Sequence, residues 1–154
     1  PTDLLLTYRN FGTVTLYGID LGIMTYLSTR VMLKGTYSWT SNDFFANVGG
    51  FTDIALNAPR NKASLAGTYH AADAGVTFEL AARYVAGFPV ASGVFIGEVD
   101  SYGLLDANLS FRLPFGRDVT LAFSGRNLLG TMHRQFVGAP EIGRLILGRM
   151  KASI

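Results

Sequence analysis

The chain has 154 residues, 49% of them hydrophobic and 16% charged, with a formal net charge of +2 and no cysteine. Soluble domains carry roughly a quarter charged residues, so this one is greasy, yet no run approaches the roughly 20 apolar residues of a membrane helix. The lack of cysteine excludes a disulfide framework, a thiolate nucleophile and a thiolate-held metal, and the scattered Lys and Arg residues leave no footprint for nucleic acid.

The architecture that crosses a bilayer without long apolar runs is a closed β-barrel. Eighteen glycines, found inside patterned segments as well as between them, argue against long helices. The chain begins at Pro1 without an initiator Met or a signal peptide, which points to processing or to a piece of something longer.

Eight strand-like segments follow one another. The first is short, Leu4–Arg9. The second, Thr13–Leu27, sets Tyr17, Ile19, Leu21 and Ile23 against Gly18, Asp20 and Gly22. The third, Arg30–Phe44, opposes Val31, Leu33, Tyr37 and Trp39 to Lys34, Thr36, Ser38 and Thr40. The fourth, Asn61–His70, sets Ala63, Leu65 and Tyr69 against Lys62, Ser64, Thr68 and His70. The fifth, Gly75–Gly87, sets Val76, Phe78, Leu80, Ala82 and Tyr84 against Thr77, Glu79, Ala81 and Arg83. The sixth, residues 104–116, alternates Leu105, Ala107, Leu109, Phe111 and Leu113 with Asp106, Asn108, Ser110 and Arg112. The seventh, Asp118–Asn127, sets Val119, Leu121 and Phe123 against Thr120, Ala122, Ser124 and Arg126. The last, Arg144–Ile154, is less regular, since Leu145, Ile146 and Leu147 are consecutive.

Alternate side chains of a strand point to opposite faces, so each segment has one apolar and one polar face. Several segments are near the 9–11 residues, roughly, that a bilayer-crossing strand needs, against about five or six for a globular strand. Tyr37, Trp39, Tyr69, Tyr84 and Phe111 end apolar faces, where aromatic rings favour a membrane–water boundary. Short links (Ser28–Thr29, Ala71–Ala74, Pro114–Arg117) alternate with long ones (Phe45–Arg60, Phe88–Ser101, Leu128–Gly143). That rhythm puts all the long links on one rim, as in outer-membrane barrels.

A soluble barrel alternates too, with its apolar face inward and Lys and Glu outside. Here the polar faces carry Ser, Thr, Asn, Gly and Ala with sparse charges of both signs, which suits a wet interior. The expected fold is therefore all-β: an antiparallel, up-and-down transmembrane β-barrel segment with lipid outside.

Particular stretches then carry a resemblance. G18-I19-D20-L21-G22 follows Asn10 by eight residues, and Y37-S38-W39 ends the next strand. L56-N57-A58-P59-R60-N61-K62-A63 leads into another, and R83-Y84-V85-A86-G87 closes the one after. L104-L105-D106-A107-N108-L109 and G125-R126-N127-L128-L129 follow, and Arg144 of G143-R144 lies ten residues before Ile154. In order and spacing these stretches resemble the C-terminal barrel region of TonB-dependent outer-membrane receptors. The resemblance covers the whole chain and implies the last eight or so strands of a barrel of about 22. It implies uptake of a scarce nutrient, such as a siderophore or a glycan, across a bacterial outer membrane. The implied partners are outer-membrane lipid, the remaining barrel strands, the receptor's plug domain and, through the plug, TonB. The plug and the TonB-contacting segment have no counterpart here, and the chain ends in Ile154 where the family usually ends in Phe or Trp. Competing expectations are a self-contained eight-stranded barrel with a structural or adhesive role, and a soluble barrel binding a small apolar ligand, with Val119, Leu121 and Phe123 buried.

Asp20, Lys34, Lys62, Glu79, Arg83, Asp106, Arg112 and Arg126 are expected to face the lumen, as cross-strand partners or as contacts for a plug or ligand. Phe45, Phe51, Phe95, His133 and Phe136 are outer-loop candidates for ligand contact, or pack loop against loop. N47-V48-G49-G50 and S92-G93-V94-F95 read as flexible loop tips. The two histidines, His70 and His133, fall on opposite rims, so no shared metal or acid–base role is expected. Ser124 has no histidine beside it, so no catalytic residue and no cofactor are expected.

Overall fold

The computed structural model describes residues 12–50, 52–113 and 119–152. The segment predicted at Leu4–Arg9, the link Pro114–Arg117, Phe51 and Ile154 lie outside the described residues.

Among the described residues eleven strands form, seven of them in one sheet. These seven are β1 (Gly18–Tyr26), β2 (Val31–Thr40), β5 (Asn61–Ala71), β6 (Val76–Val85), β9 (Tyr102–Leu113), β10 (Val119–Arg126) and β11 (Leu145–Ala152). Each pairs antiparallel with the next, in that order. Among the described residues the sheet is open, with β1 and β11 at its edges, exposed along their whole length.

The register shows why alternation decides the two faces. Residues directly opposite across a ladder share a face. Asp20, Ser38, Lys62, Val85 and Tyr102 form one such row, and Lys34, Ala66, Ala81 and Asp106 another. One step along the strands, Leu21, Tyr37, Ala63, Tyr84 and Gly103 form a row on the other face. The polar and apolar sets read from the sequence are therefore continuous from β1 to β10, while on β11 Leu145 and Leu147 stand on the polar face opposite Arg126 and Ser124.

The apolar face stays in the open: Leu65 is 60% and Phe123 51% exposed. This corrects the soluble-barrel expectation, in which Val119, Leu121 and Phe123 are core residues. Here Val119 and Leu121 are only half-buried, and among the described residues no second layer covers Phe123.

The short links are tight. Ser28 Oγ accepts from the backbone N–H groups of Arg30 and Val31 at 3.2 and 3.1 Å. A single 3-10 turn at Ala72–Ala74 closes on Gly75, whose φ of 63° is left-handed. Two long links differ from expectation. They contain the hairpins β3 (Phe44–Val48) with β4 (Thr52–Ala55), and β7 (Phe88–Ser92) with β8 (Phe95–Val99). These four strands are too short to show a sustained period and they pair only with each other. The expected strand Arg30–Phe44 accordingly splits. β2 ends at Thr40, where Ser41 N–H turns back to the Tyr17 carbonyl at 2.8 Å. The supposedly loose tip S92-G93-V94-F95 is a two-residue hairpin turn with Gly93 at φ 61°.

The true core is small and sits at the long-loop rim. Val85, Phe88, Val90 and Val99 pack there, with Tyr102, Phe136 and Val137 against them.

Candidate functional site

All eight charged candidates lie on the polar face. Asp20 and Lys34 are exposed on β1 and β2, and Lys62 stands opposite Ser38 and Val85. Glu79 accepts a hydrogen bond from Asn108 Nδ2 at 2.8 Å across β6 and β9. Arg112 lies toward the short-link end of β9, opposite Thr120.

Three of the candidates are brought together. Asp106 is 5% exposed and spends both oxygens. Its Oδ2 accepts from Arg126 Nη1 at 2.9 Å and from Arg83 Nη2 at 3.3 Å, and its Oδ1 accepts from the backbone N–H of Asn127 at 2.9 Å. Arg83 reaches it diagonally from β6 across to β9, while Arg126 is the last residue of β10. Both guanidinium groups remain about half-exposed, so two cations share one carboxylate and keep spare N–H donors on the polar face.

Asn127 carries the link from strand to loop. Its φ of 51° is a left-handed conformation that asparagine tolerates better than most residues. Its side chain donates to the Thr131 carbonyl at 2.8 Å and accepts from Thr131 N–H at 3.1 Å. The reversal lays Leu128 back over Gly125, where a Cβ would stand 2.5 Å from Leu128 Cδ2. Asn127→Ala is expected to cost about 2 kcal/mol through the lost bonds and the strained φ. Asn127→Gly keeps the φ and is expected to cost about half as much, read from denaturant midpoints of the full-length protein. Gly125→Val is expected to loosen the 127–131 reversal, seen as faster amide exchange there, and Leu128→Ala in the same chain is expected to restore protection.

The outer-loop candidates divide. Phe45 is half-buried on the β3–β4 hairpin. Phe95 on β8 meets Phe136 edge-on, with centroids 5.7 Å apart, so this pair packs loop against loop. His133 is 7% exposed and stacks on Tyr102 with centroids 4.4 Å apart. Its Nδ1 lies 3.1 Å from the Thr131 carbonyl. Asn57, at φ 58°, accepts from Ala91 N–H at 2.8 Å and so ties the β3–β4 link to β7. His70, at the other rim, bonds Thr77 Oγ1 at 2.8 Å. Tyr102, Asn57 and Asn127 were not singled out by residue-type reasoning. The two asparagines were marked only as an Asn one or two residues after a strand, and Tyr102 only as the first ring of β9.

The barrel model of the TonB-dependent receptor-like family matches residues 1–128. The chain belongs to this family. Two receptor crystal structures resemble it in fold. The ferric-catecholate import receptor Fiu from E. coli K12 superposes with a TM-score of 0.63 at 18% identity, covering 86% of this chain. The siderophore receptor PiuA from Acinetobacter baumannii gives 0.62 at 19% identity, covering 88%. The chain spans only 20% and 22% of those two proteins. Comparison with curated proteins finds no match. For a TonB-dependent receptor barrel, the Asn57 and Asn127 stretches that carried the resemblance are thus loop anchors: each asparagine takes a left-handed turn and fixes the start or end of a long link.

Proposed function

We propose that this chain is wall and outer loops of an outer-membrane receptor that imports a ferric siderophore. One observation carries the reading: a sheet with a continuous exposed apolar face, backed by a polar face whose long loops are all on one rim. Exposed apolar strands of this length are costly in water and favourable against hydrocarbon. Two open edges are untenable in lipid, so further strands of the same barrel complete the ring, to about 22 in all. The polar face then lines the lumen, the long loops lie outside the cell, and a plug domain reached by TonB fills the barrel.

The siderophore class is favoured over a glycan by the fold likeness to two siderophore-type receptors. The Arg83–Asp106–Arg126 cluster adds net positive charge with spare donors, apt for an anionic chelate passing the loop rim. Phe45, Phe51, Phe95, His133 and Phe136 are proposed to shape that rim, with Phe95, Phe136 and His133 acting through loop packing. No bond chemistry is proposed for any of these residues.

The test is uptake of radioactive iron, presented as a tris-catecholate complex, by the native host and by a strain lacking the gene. A loss of energised uptake, with the product recovered from outer membranes at several times 16.6 kDa, is the expected result. Unchanged uptake of catecholate and hydroxamate complexes alike would remove the siderophore reading. A native mass of 16.6 kDa would favour the self-contained small barrel instead.

A further inference from the structure

The link over residues 128–143 and the turn between β8 and β9 enclose a hollow of about 150 Å³, lined by Glu98, Asp100, Tyr102, His133, Arg134 and Glu141. Both walls are fixed. The turn after Val99 sits against Gly87, where a Cβ would stand 3.0 Å from the Val99 carbonyl oxygen. In the facing wall His133 and Ile142 pair as an isolated bridge, with the Ile142 N–H donating to the His133 carbonyl at 2.8 Å. Arg134 pairs with Glu141 at 3.1 Å. Val137 of the same link packs on β8, 3.3 Å from where a Cβ on Gly97 would sit.

Two kinds of group in the hollow lack a partner. Glu98 and Asp100 flank the buried Val99, stay exposed and meet no cation among the described residues. His133 is more than nine-tenths buried, and its Nε2 has no hydrogen-bond partner among the described residues. Its Nδ1 faces the Thr131 carbonyl, which only accepts, so Nδ1 carries the proton and Nε2 of the neutral ring offers a lone pair. The hollow therefore presents acceptors and negative charge, and it calls for donors and positive charge. A metal ion does not suit it, since among the described residues no three ligating side chains converge. An imported chelate is too large, since pockets for drug-sized ligands run to roughly 300–1,000 Å³. A short organic ammonium meets both demands, with its charge and its N–H donors on one small nitrogen.

We propose that this hollow binds a small protonated aliphatic amine, its N–H groups shared between His133 Nε2 and the carboxylates of Glu98 and Asp100. Bound there, the amine bridges the β8–β9 turn to the 128–143 link. The site stands on these loops alone and does not depend on which ligand the barrel imports. The test is calorimetric titration of the full-length protein in detergent micelles with 1,4-diaminobutane, against 1,4-butanediol as the uncharged analogue of the same length. The expected result is saturable binding of the diamine and none of the diol. His133→Phe keeps a ring to stack on Tyr102 and removes Nε2. It is expected to weaken binding about ten-fold, as the loss of one hydrogen bond to a charged group implies. Glu98→Gln changes an exposed side chain and is expected to weaken binding about three-fold, the share of one screened ion pair. No saturable binding of the diamine, or equal binding of the diol, would overturn the proposal. So would wild-type affinity in His133→Phe, because carboxylates that merely attract cations do not need the imidazole. Wild-type affinity in Glu98→Gln would overturn it as well, whatever His133→Phe does to the link.

Discussion

Leu80→Arg is expected to destabilise the full-length barrel in lipid vesicles by about 2–4 kcal/mol, the cost of a cation on the lipid face near the midplane. Ala81→Arg, one residue along, is expected to cost far less. Both positions lie mid-way along β6. Leu80 pairs with Gly67 and Ala107 on the apolar face, and Ala81 with Ala66 and Asp106 on the polar face. Helix or loop propensity cannot separate two neighbouring strand positions, so the difference reads only what each face touches. At position 81 the new charge meets water and the Asp106 carboxylate. At position 80 it must snorkel or drag water into hydrocarbon. Reversible urea unfolding of the two variants from the same vesicles measures the gap. Equal costs would mean that the apolar face is covered by protein rather than lipid, and the barrel-wall reading would fail with it.

The same pair of positions explains what was legible beforehand. Period two is a local property, so face assignment at Leu80 and Ala81 needs no knowledge of partners. Long and short links alternate by counting alone, which fixed the rims. The β3–β4 and β7–β8 hairpins were not legible, because FFANV, TDIA, FPVAS and FIGEV are four or five residues each and make no lasting period. The Asp106 cluster was half legible. Its members were named as polar-face charges, but which of them meet depends on register. That register places Arg126 just past the Gly125–Ala107 pair and so beside Asp106. His133 was not legible at all. A histidine in a long loop reads as a surface residue, and only the docking of that loop on Tyr102 buries it.

Asp106→Ala is the second large effect, about 2–3 kcal/mol, and the way it divides is the informative part. Three donors lose their acceptor: Arg83, Arg126 and the Asn127 backbone N–H. The two arginines are about half-exposed and rehydrate, so their share is that of partly screened ion pairs, below about 1 kcal/mol each. Asn127 is 3% exposed, and its N–H has no water to turn to. Leaving a buried donor unmade costs about 1–3 kcal/mol, the largest single share. Arg83→Ala and Arg126→Ala should therefore each be milder than Asp106→Ala. Asp106→Asn, which keeps one acceptor oxygen for the Asn127 N–H, should fall between. Because that N–H begins the loop that carries Leu129, His133 and Phe136, the damage should be local before it is global. Amide exchange at residues 127–133 is expected to accelerate while the β5–β6 ladder stays protected. If instead either arginine variant matches Asp106→Ala, the cluster acts as an ion pair and the loop is anchored elsewhere.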